Sequence, residues 1–244
     1  MKNLFYILLI SILSTLNANE KIITLANETT WAPHYGKELN NGGYTTEIIS
    51  EAMKRVGYDI KIKWLPWNRA VTLATKGIYD GLGACYYNDK RAKNFVYSNT
   101  IGDTKTVFFK LKKTKINYKS LKDLKDFKIG TSTGYAYPKI FTDAKFLKTI
   151  NSPRLEINIK KLLKNRIDLV IGSKKVMQHY LNTKFPNDKD KIEILEPSVD
   201  SMPLYVAFSK KSKNYKQKVK DFNIGLDIIK KDGTFEKILK KHGF

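Results

Sequence analysis

Ile167-Asp168-Leu169-Val170-Ile171-Gly172 is apolar at nearly every position. A strand with one wet face alternates apolar and polar residues. A run that does not alternate is buried on both faces, as at the centre of a sheet covered by helices. Its flanks agree. Ile157 to Asn165 reads as a helix. Before it, Lys128 to Thr131 reads as a strand that enters the turn Ser132-Thr133-Gly134-Tyr135, with a helix starting near Ala136. After it, Lys174 to Asn182 is helical and Leu204 to Phe208 is a last strand. Two helices, Lys216 to Lys230 and Thr234 to His242, are joined by Asp232-Gly233.

The first half of the chain has the same rhythm. Lys21 to Ala26 is β-branched and apolar, a first strand. Tyr44, Ile48, Ala52 and Val56 fall four residues apart and mark an amphipathic helix that Gly57 stops. Tyr58 to Trp64 alternates as a strand. Pro66 opens a helix from Trp67 to Thr75, and Asp80 to Tyr86 is a third strand. Lys105 to Lys110 is a further strand, and Ser120 caps a short helix at Leu121 to Leu124. A β-α-β-α-β order implies a parallel sheet under helices. Open sheets of this kind bind ligands beyond the carboxyl ends of their strands. Here those ends are the loop 27–31, the stretch 84–88, the turn 132–135 and Gly172-Ser173.

The N-terminus places the protein outside the cytoplasm. Met1-Lys2-Asn3 is a short positive start, Leu4 to Leu16 is apolar, and Asn17-Ala18 follows. That is the layout of a signal peptide cleaved after Ala18. A membrane span needs about 20 apolar residues. Removing the signal leaves a mature chain of roughly 226 residues, enough for one large domain or two smaller ones. The only cysteine, Cys85, excludes an intramolecular disulfide. The formal charge is +22, from 45 Lys+Arg against 23 Asp+Glu. The lysines are spread over helix faces and turns. No arginine-rich arm, zinc-finger spacing or helix-turn-helix signature accompanies them, which argues against nucleic acid.

Four stretches together resemble family 3 of the bacterial extracellular solute-binding proteins, the periplasmic receptors of ABC importers. The first is Gly43-Tyr44-Thr45-Thr46-Glu47-Ile48-Ile49. The second is Lys76-Gly77-Ile78-Tyr79-Asp80-Gly81, with Asp89-Lys90-Arg91 and Phe95-Val96-Tyr97-Ser98. The third is Leu121-Lys122-Asp123-Leu124 with Ile129-Gly130-Thr131-Ser132-Thr133-Gly134. The fourth is Leu204-Tyr205-Val206-Ala207-Phe208 with residues 231–238. The resemblance implies an α/β, two-lobe periplasmic-binding-protein-like fold of class II, each lobe a sheet flanked by helices. Lobe 1 would be residues 19–106 plus 209–244, and lobe 2 residues 110–203. Hinge strands near 107–109 and 204–208 would join them. The implied function is capture of a small polar, carboxylate-bearing solute, an amino acid or a related compound, for delivery to an inner-membrane ABC permease. The protein would act as a periplasmic monomer without cofactor or metal.

The resemblance also implies a ligand site. Arg91 matches the arginine that grips a ligand carboxylate, a task suited to the planar guanidinium fork. Ser132, Thr133, Tyr135 and Ala136 form the strand-to-helix turn whose amides bind that carboxylate. Trp31, Trp67 and Tyr86 fall at pocket-lining positions, where aromatic faces stack on ligand groups. Ordinary core packing is the competing role for Trp67. Glu28 lies near an acidic position of the basic-amino-acid binders, with Asn27 an equal candidate. Ser173 departs from the pattern. Binders of α-amino acids carry an aspartate there to pair the ligand ammonium, and serine cannot neutralise a buried cation. Ala84 likewise replaces a hydroxyl. The ligand expected from these two losses is a carboxylate without a standard α-amino group, unless another acid such as Glu28 supplies the charge.

Two alternatives use the same fold. One is an enzyme resembling the periplasmic cyclohexadienyl dehydratase. It would need a carboxylate acid or base in the cleft, which the Ser173 position does not offer. His34, His179 and His242 lack metal-ligand spacing. The other is a ligand-sensing input module, which usually continues into a membrane helix. The sequence reading favours a binder over both.

Overall fold

The computed structural model describes residues 21–243. The signal-peptide reading, at Met1 to Ala18, lies outside the described residues. In chain order the elements are β1 (Lys21–Glu28), β2 (Thr30–Trp31), β3 (Tyr35–Gly36), α1 (Tyr44–Lys54), β4 (Tyr58–Leu65), α2 (Trp67–Thr75) and β5 (Gly81–Tyr86). Then come α3 (Asp89–Ala92), β6 (Phe95–Tyr97), β7 (Gly102–Leu111), β8 (Lys128–Ser132), α4 (Lys139–Asp143), β9 (Lys148–Ser152) and α5 (Leu155–Leu163). The chain continues through β10 (Leu169–Ser173), α6 (Lys174–Thr183), β11 (Ile192–Ser209), α7 (Tyr215–Lys231) and α8 (Thr234–Lys241). Among the described residues, no helix is long and apolar enough to cross a membrane.

The fold is α/β, with two sets of parallel strands flanked by helices, as the resemblance implies. Its strands lie in the order β4-β1-β5-β11-β7-β10-β8-β9, with β6 also paired to β11. Within each lobe the pairs β1–β4, β1–β5, β8–β10 and β8–β9 are parallel, as the β-α-β rhythm requires. The sheet as a whole is mixed, which corrects the all-parallel expectation. The long strands β7 and β11 pair antiparallel with each other and with β10 and β5. A chain that leaves one lobe and later returns must run back beside its outgoing strand, so these two strands bring the antiparallel pairs.

β11 is also far longer than the expected segment at Leu204 to Phe208. Its first part pairs with β7 from Ile192 to Leu204, with the ladder interrupted between Leu195 and Asp200. Pro197 lies in that interruption and has no N–H to give. Residues 204–208 then pair with β5.

Burial follows the apolar pattern. On β10, Leu169 and Ile171 pack in one apolar cluster with Phe108, Leu124 and Ile129, while Val170 points into another with Ile159 and Met177. The strand is therefore covered on both faces. In the first lobe, Ile23 and Leu25 of β1 meet Ile48, Ile49 and Met53 of α1. Ala26 joins the opposite layer with Ala70, Ala74 and Leu82. Helices α1 and α7 approach closely at Gly225, where a Cβ would stand 1.8 Å from the Ala52 carbonyl oxygen.

Candidate functional site in the interlobe cleft

Arg91 reaches the cleft from a one-turn helix. Asn88 is the N-cap of α3, and its side chain accepts from the Arg91 amide at 3.0 Å. The guanidinium is buried, with 9% of the residue exposed. Nη2 donates to the Tyr86 carbonyl oxygen at 3.0 Å. Cζ stands 5.2 Å from the centre of the Trp67 ring. Nη1 is buried with no hydrogen-bond partner. A buried charge whose donor is unused is poised for an anion.

Around Arg91 lies an inner cavity walled by Trp31, Tyr35, Trp67, Tyr86, Tyr135 and Ala136, with Ala84 and Cys85 behind. Burial pushes the Cys85 thiol up to about 11, so it stays protonated and inert. A second inner cavity shares Trp31, Tyr86, Tyr135 and Ala136. Ser132, Tyr137, Ser173, Val176 and Tyr180 complete it with Thr106, Leu155 and Ile171. The Trp31 and Tyr86 rings meet edge to face at 5.3 Å.

The Ser132 turn differs from its expected form. The helix expected near Ala136 begins at Lys139, after Pro138 as N-cap, and is five residues long. Proline disfavours helical backbone at the residue before it, here Tyr137. No helix therefore starts at the turn. The Ser132 amide donates to the Tyr137 hydroxyl at 2.6 Å, and the Thr133 amide to the Ser152 carbonyl at 2.9 Å. The Tyr135 amide donates to the Ser132 carbonyl at 3.3 Å. The amides of Ser132, Thr133 and Tyr135 are thus already paired within the protein. Ser132, Tyr135 and Ala136 still wall the inner cavities, whereas Thr133 faces an outer cleft.

Ser173 caps α6. Its Oγ lies 3.5 Å from the Val176 amide that it accepts from, and 2.8 Å from Thr104 Oγ1. Beside this pair the Tyr86 hydroxyl is buried without a well-formed hydrogen bond. Burial raises its pKa, and the Thr104 and Ser173 hydroxyls partly offset that.

Two contacts cross the cleft. Trp67 Nε1 donates to the Gly134 carbonyl at 3.0 Å, and the Tyr135 hydroxyl donates to Glu28 Oε2 at 2.5 Å. Trp67 therefore both packs in an apolar cluster and bonds across the cleft. Glu28 lines the outer cleft with Trp67, Thr133, Arg154 and Lys184. Asn27 is fully buried behind it, against Gly83, and lines none of these cavities. Burial raises the Glu28 carboxyl above its ordinary 4.5, against the Tyr135 hydrogen bond and the Arg154 charge. A carboxyl raised on folding favours the protonated folded state. Its stabilising contribution is fully present below pH 4.5 and is lost as pH rises through the folded value. Glu28→Gln removes that titration. In thermal melts, the stability of the parent relative to the variant should fall from about pH 4.5 upward and then level. A difference that stays flat from pH 4 to 8 would contradict the raised carboxyl.

Tyr35, Tyr137, Val176 and Tyr180 are lining residues that the sequence reading missed. Ser173, Val176 and Tyr180 are spaced by three and four residues, one face of a helix, and that spacing was a usable signal. Tyr137 had none, because an irregular segment carries it.

Residues 23–244 match the family model of the bacterial extracellular solute-binding proteins, family 3. Similar proteins include the L-cystine-binding protein TcyA of Bacillus subtilis (strain 168). It is 24% identical over 223 residues, 90% of this chain and 80% of that protein. The probable histidine-binding protein of Campylobacter jejuni is 23% identical over 233 residues, 92% of this chain and 88% of its own. Among solved structures, an ancestral arginine-binding protein bound to arginine superposes with a TM-score of 0.76 at 22% identity, over 92% of this chain and 99% of that one. A histidine kinase sensor domain similar to periplasmic binding proteins reaches 0.80 at 15% identity, over 92% and 96%. With residues 23–244 matched, nearly the whole described chain, this protein belongs to the bacterial extracellular solute-binding proteins, family 3.

Proposed function

We propose that this protein captures a small carboxylate-bearing solute, an amino acid or a related compound, between its lobes and delivers it to an ABC permease of the inner membrane. The observation that carries this reading is Arg91, buried in the cleft with Nη1 unpartnered beside a cavity that both lobes wall. The lobes in this reading are residues 19–106 plus 209–244 and residues 110–203. The strands β7 and β11 act as the hinge between them. Ligand binds to the open form and closure brings the Tyr135 and Trp67 contacts together. The protein works as a periplasmic monomer after signal cleavage. The curated relatives are binding proteins for cystine and, probably, histidine, which supports a small solute of that size.

A thermal-shift screen across amino acids, 2-oxo acids, dipeptides and polyamines tests the reading. A ligand that binds only the folded protein at a hundredfold excess over Kd adds about 2.7 kcal/mol of apparent stability. Small-angle scattering should then show a smaller radius of gyration with the hit than without it. No shift with any carboxylate, or an unchanged profile at saturation, would refute a hinged carboxylate binder.

A further inference from the structure

The charge around the inner cavities is one-sided. Among the described residues that line them, Arg91 is the only ionised group, and no aspartate or glutamate appears. Glu28, whose charge is felt at the wall residues Tyr35 and Tyr180, and Asp103 are each engaged elsewhere. Glu28 takes the Tyr135 hydroxyl and opens to the outer cleft, and Asp103 takes the Ser201 hydroxyl on the exposed hinge. His34, packed behind Trp31, is held neutral. Burial, helped by the Lys175 charge, lowers it to about 3. The ammonium of an α-amino acid closed into this space would meet no counter-charge on the cavity walls. Burying an unpaired ammonium is strongly unfavourable.

What the cavities offer instead are hydroxyls and rings. Tyr86 joins the two cavities. Its carbonyl holds Arg91, the residue lines both spaces, and its hydroxyl is buried beside the Ser173–Thr104 pair without a well-formed hydrogen bond. A hydroxyl pairs with an uncharged oxygen without any charge to neutralise. Such a ligand oxygen would also relieve the unpartnered Tyr86 hydroxyl. Trp31, Tyr135, Tyr137 and Tyr180 surround the larger cavity with apolar faces suited to a hydrocarbon or aromatic body.

We propose that the ligand is a 2-hydroxy or 2-oxo acid with an apolar or aromatic body, its carboxylate on Arg91 and its uncharged oxygen on Tyr86 and Ser173. This rests on the carboxylate-binding reading above and narrows it. The site discriminates against α-amino acids because it supplies no anion for their ammonium.

Isothermal titration with two matched series tests it. One is L-phenylalanine, L-phenyllactate and phenylpyruvate, and the other is L-leucine with its 2-hydroxy and 2-oxo analogues. The oxygenated acids of at least one series should bind about thirtyfold or more tighter than the amino acid, the lower end expected for an unpaired buried charge. Tyr86→Phe should weaken them about tenfold more than it weakens 3-phenylpropionate, which has no second oxygen for the lost hydroxyl to meet. Ser173→Asp keeps a good N-cap on α6 and should reverse the order in favour of the amino acid. Parent protein that binds an amino acid as tightly as its oxygenated analogue overturns the proposal. If that binding depends on Arg91, the carboxylate reading survives. If it is also lost in Glu28→Gln, Glu28 is the missing counter-charge. Binding of neither series, with no carboxylate hit in the wider screen, overturns both readings.

Discussion

Arg91→Ala is expected to weaken ligand binding by about 30- to 4000-fold, since truncating one side of a buried charge pair costs about 2–5 kcal/mol. The range is wide because the loss depends on how completely the cleft excludes water around the carboxylate. Arg91→Lys should recover only part. An ammonium has charge but lacks the fork that would engage the ligand through Nη1 while holding the Tyr86 carbonyl through Nη2. Stability should respond differently from affinity. The unliganded protein already buries a guanidinium with one idle nitrogen, and removing an uncompensated buried charge relieves a penalty. Against this stand the lost contact with the Trp67 ring and the lost hydrogen bond to Tyr86. The two effects oppose each other, so unfolding free energy should move by no more than about 1–2 kcal/mol. Titration calorimetry and chemical denaturation on one preparation separate them. Unchanged affinity would remove Arg91 from the site. Lost affinity accompanied by a collapsed fold would make it a structural residue.

How far the sequence carried depends on how each segment is buried. β10 has apolar residues on both faces, and α2 starts on a proline and ends before Lys76-Gly77. Both were legible, and α2 spans the expected Trp67 to Thr75. β9, Lys148–Ser152, has only its last residue buried, so no apolar pattern announced it. The first two-thirds of β11 alternate poorly, carry Pro197 and Pro203, and have only Ile192, Leu195 and Met202 buried. Their strand character comes from pairing with β7, a partner distant in the chain. The site divides in the same way. Trp31, Tyr86 and Arg91 follow strand ends and a capped turn, features of local sequence. That the turn amides at Ser132 and Thr133 are already used depends on Tyr137 and Ser152, which only tertiary structure brings to them.

Asp80 shows the other side of that division, and replacing it should have the largest effect on stability. Its sequence context, Lys76 to Gly81, reads as a turn entering a strand. In the fold its carboxylate joins three distant segments. Oδ2 accepts from the Thr24 amide of β1 at 2.8 Å, and Oδ1 accepts from Lys218 Nζ of α7 at 2.6 Å and from the Ser212 hydroxyl at 2.5 Å. The side chains of Lys218 and Asp80 are only 15% and 21% exposed. Asp80→Ala would leave the Lys218 ammonium with Ser212 as its one remaining partner, at 3.0 Å. Breaking a buried pair costs about 3–5 kcal/mol. Allowing for the residual exposure, the expected loss is about 2–4 kcal/mol, or a Tm lowered by about 5–15 °C for a chain of this size. Asp80→Asn combined with Lys218→Met should recover much of it, because no charge is then stranded. The pH dependence is a second check. Burial alone would raise the Asp80 carboxyl, but the hydrogen bonds from Lys218, Ser212 and Thr24 prevail and hold it below its ordinary 3.8. A carboxyl lowered on folding contributes stability above its unfolded value and loses it as pH falls through the folded value. The gap between parent and Asp80→Asn should therefore be full at pH 7 and shrink below about pH 3.8. A gap of under 1 kcal/mol, equal at pH 3 and pH 7, would mean that solvent screens the pair, and that the joint between β1 and α7 rests on their apolar packing alone.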